Sequence, residues 1–174
     1  MKRPKNINTT IILFAIACFF KNTQAAVLVV NNITNGPGQY ATINAAMQVA
    51  NAGDTLYVDA SATSYGSFTI TKSLVIIGKG SYADVQYSQP TNVFDISIAD
   101  SVSQVSIEGI SIHTINFGIV CHQINIASCY ISGLVNLNHQ VTYCNFSSNI
   151  FTFGAQTIMG QNCSADIFTL VSVI

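Results

Sequence analysis

Two aspartates and three histidines are the residues of this chain best suited to acid–base chemistry. Asp95 and Asp100 lie in "FDISIAD", Glu108 follows in the next alternating segment, and His113, His122 and His139 recur at intervals of 9 and 17 residues. A close carboxylate pair is what glycosidic hydrolysis needs, one group as acid and the other as base or nucleophile. Imidazoles could move protons or bind metal. Five residues apart around a strand and its turn, Asp95 and Asp100 are not expected to converge on one face. Each histidine stands near a turn signal, and no carboxylate accompanies it. Asp95, Asp100 and His113 are therefore the candidates for a catalytic role, read as solvated loop carboxylates and a surface imidazole. No metal site and no cofactor is expected.

The elements that would have to position these groups are unusual in composition. Hydrophobic residues make up 49% of the 174 and charged residues only 7%, far below the roughly 25% of an ordinary domain. Part of the bias lies at the start. Lys2, Arg3 and Lys5 precede the apolar run "IILFAIACFF", which Lys21 closes before it is long enough to span a bilayer, and "TQA" offers small residues at Thr23 and Ala25. This is the pattern of a secretory signal peptide over residues 1–25, cut after Ala25 or one residue later, after Ala26. Cys18 as a lipidated cysteine is disfavoured, because Ala15 stands where a large aliphatic residue belongs.

Removing the leader leaves Lys72 and Lys79 against all seven acids, a net charge of −5 with no arginine. Nucleic acid and anionic membrane, which need clustered basic residues, are excluded as partners, and no membrane span is expected in the mature chain. Polyanionic substrates are disfavoured unless calcium bridges them.

Residues 26–174 read as one domain. A short strand at Val27 to Val30 is followed by a helix with Thr42 as N-cap and Ile43, Ala46, Met47 and Ala50 on one apolar face, ended at Asn51 and Gly53. The period then changes to two: Leu56 and Val58 alternate with Tyr57 and Asp59, and two more strands flank Lys72. Beyond Gly80 no helix is expected. The segments "VSIEGISIHT", "INIASCYISG", "QVTYCNFSS" and "MGQNCSADIF" look repetitive, and aligning Ile110, Cys129, Cys144 and Cys163 gives steps of 19, 15 and 19. Such steps suit a solenoid of stacked coils with inward apolar rows and outward Ser, Thr and Asn.

The stretch Tyr40 to Gly80, "YATINAAMQVANAGDTLYVDASATSYGSFTITKSLVIIGKG", resembles the N-terminal coil of the right-handed parallel beta-helix (pectin-lyase-like) superfamily. Ala41 to Ala50 match its capping helix, Gly53 to Val58 the turn into the first strand, and Ile70 to Gly80 the first stacked coil; "ATSYGSF" departs from the usual Gly-Thr-Tyr. The resemblance implies an all-β, right-handed parallel β-helix solenoid with a short N-terminal capping helix. In lyases of that fold it implies an arginine or lysine base with calcium, but arginine is missing and Lys72 and Lys79 match strand-end positions. Fold alone does not supply function.

After the leader, Cys121, Cys129, Cys144 and Cys163 form an even number in an exported chain. The spacing of the last three favours a stacked interior row of free thiols over bridges, although coils about 4.8 Å apart would permit bridging. The Asn-x-Ser/Thr sites at Asn32, Asn145 and Asn162 are read as outward polar residues, since the leader and the resemblance suit a bacterium.

The apolar end "SADIFTLVSVI" and the about five coils given by this register lead to the expectation of a C-terminally truncated solenoid, with an open sheet edge available for self-association. The functional expectation is a secreted or cell-surface β-helix without its own catalytic centre, a structural or glycan-contacting module whose partner is polysaccharide. The alternative is the N-terminal part of a polysaccharide lyase or glycoside hydrolase.

Overall fold

The computed structural model describes residues 24–33, 39–81, 89–137, 141–152 and 157–158. Strand β1 (Val27–Val30) leads to helix α1 (Ile43–Val49). Then come β2 (Thr55–Val58), β3 (Phe68–Ile70), β4 (Val75–Gly78), β5 (Asn92–Ile98), β6 (Ser103–Glu108) and β7 (Ser111–Phe117). Strands β8 (His122–Ala127), β9 (Tyr130–Ile131), β10 (Val135–Asn136), β11 (Thr142–Ser147), β12 (Ile150–Phe151) and β13 (Thr157–Ile158) complete the described chain.

Every described strand pair is parallel. One sheet stacks β1, β2, β4, β6, β8 and β11; the other joins β3, β5, β7, β9, β10, β12 and β13. The described residues thus form a β-solenoid of about 4 turns. Because each strand's partners lie one coil away, stacking buries what a single coil cannot.

Registers turn the alternation of the sequence into interior rows. Leu28, Leu56, Ile76, Ile107, Ile126 and Phe146 stack in one row of the first sheet, and Phe68, Ile96, Ile115 and Val135 in one row of the second. All ten side chains are buried. Each contributes about 1.5–3 kcal/mol over its exposed state, most for the larger side chains.

Helix α1 covers the first coil. Thr42 is its N-cap, accepting from the Ala45 N–H at 3.1 Å, and Ile43, Ala46 and Met47 face inward. Its C-terminus is held from the next coil: Lys72 Nζ donates to the carbonyls of Met47 at 3.0 Å and Ala50 at 2.8 Å. A cation at a helix C-terminus is favoured by the helix dipole. Lys72 is therefore a clasp and not the solvated strand-end residue read from the sequence. Lys79 is the exposed strand-end residue read from the sequence, following the end of β4, and it pairs with Asp59 at 3.1 Å.

The coil corners are set by backbone conformation. Left-handed residues recur one coil apart in three columns: Ser101 and Val120; Gln104, Gln123 and Tyr143; Gly109, Ser128 and Ser148. The 19-residue step between β6 and β8 becomes 20 between β8 and β11. The added residue falls between Ile131 and Val135, since Ile112 aligns with Ile131 but Ile115 with Val135. The 15-residue step does not occur.

That correction disperses the cysteines. Cys144 aligns with Ile124 and Val105, whereas Cys129 occupies the corner position of Ile110 and Asn149. Cys121, Cys129 and Cys144 are buried at three different coil positions, so Cys129 and Cys144 do not share the row expected for them. Cys163, His139, residues 1–23 of the expected leader, the Asn162 site and the apolar end lie outside the described residues.

Candidate functional site

The residues of catalytic type are dispersed. Asp95 lies in β5, aligned with Thr114, and its backbone N–H donates to Ser67 Oγ at 3.3 Å. Asp100 lies beyond the end of β5; the three extended steps from Asp95 to Ile98 alone carry the backbone about 10 Å. Its Oδ1 accepts the Ile119 N–H at 2.7 Å, fastening the corner of the next coil. No hydrogen bond or ion pair joins Asp95, Asp100 and His113 among the described residues. Glu108 and His122 are exposed on the other sheet.

His113 has the most developed surroundings. Its ring stacks on Phe94 of the preceding coil, with centroids 4.9 Å apart and planes 28° from parallel. Both stand where their strands bend: Val93 and Asp95 pair with Ile112 and Thr114, and the residues between turn outward. His113 Nδ1 lies 3.3 Å from Ser132 Oγ, one coil further on. Phe94 is 56% exposed, a large apolar ring left on the surface.

Beside this stack runs an outward polar strip. Ser97, Asn116 and Asn136 share one register row, and Asn136 Nδ2 donates to Asn116 Oδ1 at 2.7 Å. A second ladder on the first sheet links Asn145 to Asn125 at 2.9 Å and Asn125 to Ser106 Oγ at 3.2 Å. The Asn145 site is thus an outward polar residue, as its sequence suggests. Amide ladders of this kind give up one donor and one acceptor per rung while each amide keeps further capacity for a ligand.

Chemically, the Phe94–His113 region combines a flat aromatic face with a hydroxyl, a half-buried carboxylate at Asp95 and a row of amides. Ser132 and Phe94 were not singled out from the sequence. Ser132 follows His113 by 19 residues, the step that separates Ile110 from Cys129, and that spacing is the signal that could have found it.

The Cys121 and Cys129 thiols are unsuited to nucleophilic chemistry. Burial pushes Cys129 up to about 12 and raises Cys121, so neither forms the reactive thiolate readily near neutral pH. Among the described residues no cluster of three or more His, Cys, Asp or Glu could hold a metal ion, and no helix is long and apolar enough to cross a membrane.

Compared with known proteins, the chain matches no family model, no curated protein and no solved structure.

Proposed function

We propose that the chain is an exported, surface-associated member of the right-handed β-helix (pectin-lyase-like) superfamily that contacts glycan without turning it over. The carrying observation is the exposed Phe94–His113 stack bordered by Ser132, Asp95 and the Ser97, Asn116 and Asn136 row. An aromatic face suits the apolar face of a sugar ring, and amides and hydroxyls suit its hydroxyl groups. Rows repeat at the coil spacing of about 4.8 Å, so an extended glycan would meet like groups along the solenoid. The net charge of −5 after the leader favours neutral over acidic glycan.

The non-catalytic part of this reading is supported by how the charged groups are used. Asp100 fastens a corner, Lys72 clasps the helix and Lys79 pairs with Asp59. Affinity electrophoresis of the exported protein through gels holding neutral or acidic polysaccharide tests it. Retardation by a neutral glycan, weakened about tenfold by Phe94→Ala, supports the proposal; that loss corresponds to about 1.4 kcal/mol. Chain cleavage that disappears on changing Asp95, Asp100 or His113 would replace it with an enzymatic function.

A further inference from the structure

The Ala26 backbone N–H donates to Asp54 Oδ1 at 2.8 Å, across 28 residues. The Ala26 carbonyl accepts from Thr55 N–H at 2.8 Å, so Ala26 is pinned on both sides. Asp54 is only 3% exposed, and its Oδ2 accepts the Asn51 N–H at 2.7 Å. The other charged side chain acting on it is Lys72, which spends two hydrogen bonds on the carbonyls of α1. A carboxylate this enclosed gains from a cation at hydrogen-bond distance, because breaking or omitting the pair leaves buried charge uncompensated. Residues 24 to 27 are exposed, so the chain can end there without uncovering the core.

We infer that removal of the leader occurs at the Ala25–Ala26 bond and that the ammonium group so created at Ala26 forms an ion pair with Asp54, locking the first coil only in the processed protein. Hydrolysis consumes one water: the Ala25 carbonyl carbon leaves as a carboxylate, and the Ala26 nitrogen becomes a primary amine that takes up a proton. Before the cut this nitrogen is a neutral amide donor. After it, both partners carry charge, so a hydrogen bond already assisted by the Asp54 carboxylate becomes an ion pair. A cut one residue later deletes the donor, so the geometry selects between the two positions open from the sequence. The inference rests on the export reading.

The hydrogen bonds from Ala26 and Asn51 hold the Asp54 carboxyl below its ordinary value of 3.8, so it is ionised throughout the neutral range in which the amine is protonated. The amine has an unfolded value of about 7.7–8.0, which the pair raises. Its contribution is therefore complete below that value and is lost as pH rises through the raised folded one.

The test begins with the intact mass of the exported protein from its source, followed by thermal melts from pH 6 to pH 10 of that protein and of exported Asp54→Asn. A mass starting at Ala26 is expected. So is a melting temperature that falls by several degrees across the alkaline window in the wild type but not in Asp54→Asn. The rate of α-amine acylation by an N-hydroxysuccinimide ester gives a second readout that does not depend on the variant. It is expected to be at least tenfold slower than in a free peptide of the sequence of residues 26–30. A mass starting elsewhere overturns the processing assignment. An Ala26 start with parallel melting profiles, or with peptide-like acylation, overturns the lock alone.

Discussion

Gly133 lies so close to the carbonyl oxygen of His113 in the coil below that a Cβ at that position would meet it at 2.4 Å. This is where the coil grows from 19 to 20 residues, between Ile131 and Val135. The added residue is accommodated by drawing backbone against backbone, and glycine makes that approach possible. Gly133→Ala forces the two coils apart and is expected to cost about 1–3 kcal/mol. Urea denaturation with the m-value held constant measures it. An unchanged midpoint would show that the corner relaxes freely.

Val120 presents the opposite case, a branched residue in a conformation it disfavours. Its φ is 61° on an exposed corner, and Ser101 holds φ 62° one coil earlier. The left-handed region costs an ordinary residue about 1–2 kcal/mol, and Asn tolerates it far better. Val120→Asn is expected to stabilise the protein by about 1 kcal/mol. A lowered melting temperature would mean that the Val120 side chain makes contacts worth more than the strain.

Asn149 carries a corner from inside. Buried at 3% exposure, it accepts the Cys129 N–H at 2.8 Å and donates to the Ile126 carbonyl at 2.8 Å. Asn149→Ala strands both backbone groups in the interior, at about 1–3 kcal/mol for each group left unsatisfied. Asn145→Ala breaks one exposed ladder rung and is expected to stay within about 0.5 kcal/mol. Paired denaturation curves check the contrast. Equal effects would contradict the assignment of Asn149 as the structural member of the two.

Acid sensitivity follows from Asp54. Hydrogen bonds from the Ala26 and Asn51 backbones lower its folded pKa below 3.8. The stabilisation is therefore fully present above 3.8 and is lost as pH falls through the lower folded value. Melting temperatures taken from pH 5 down to pH 2 should decline in the wild type and less steeply in Asp54→Asn. Equal slopes would remove Asp54 from the account of acid unfolding.

The capping helix and first strands were legible because local chemistry determines them. Thr42 caps, Ile43, Ala46 and Met47 face one way, and Leu56 and Val58 alternate with Tyr57. The 19-residue step from Ile110 to Cys129 was legible, but the 20-residue step after it was not. Cysteine is interchangeable in the interior with Ile, as Cys144 over Ile124 shows, and with the buried Asn149 at the Cys129 corner, so matching like residues misaligned the coils. Roles set by contacts between coils were equally hidden. Nothing near Lys72 in the sequence points to the carbonyls of Met47 and Ala50, and Phe94 meets His113 only after stacking.

The most direct test of the proposed function is a binding isotherm of the protein on a panel of neutral and acidic polysaccharides, with reducing ends counted in the same samples. The account predicts saturable binding to a neutral glycan, weakened about tenfold by Phe94→Ala, with no new reducing ends. Absence of binding to every neutral glycan, or release of reducing ends that Asp95, Asp100 or His113 variants abolish, would contradict it.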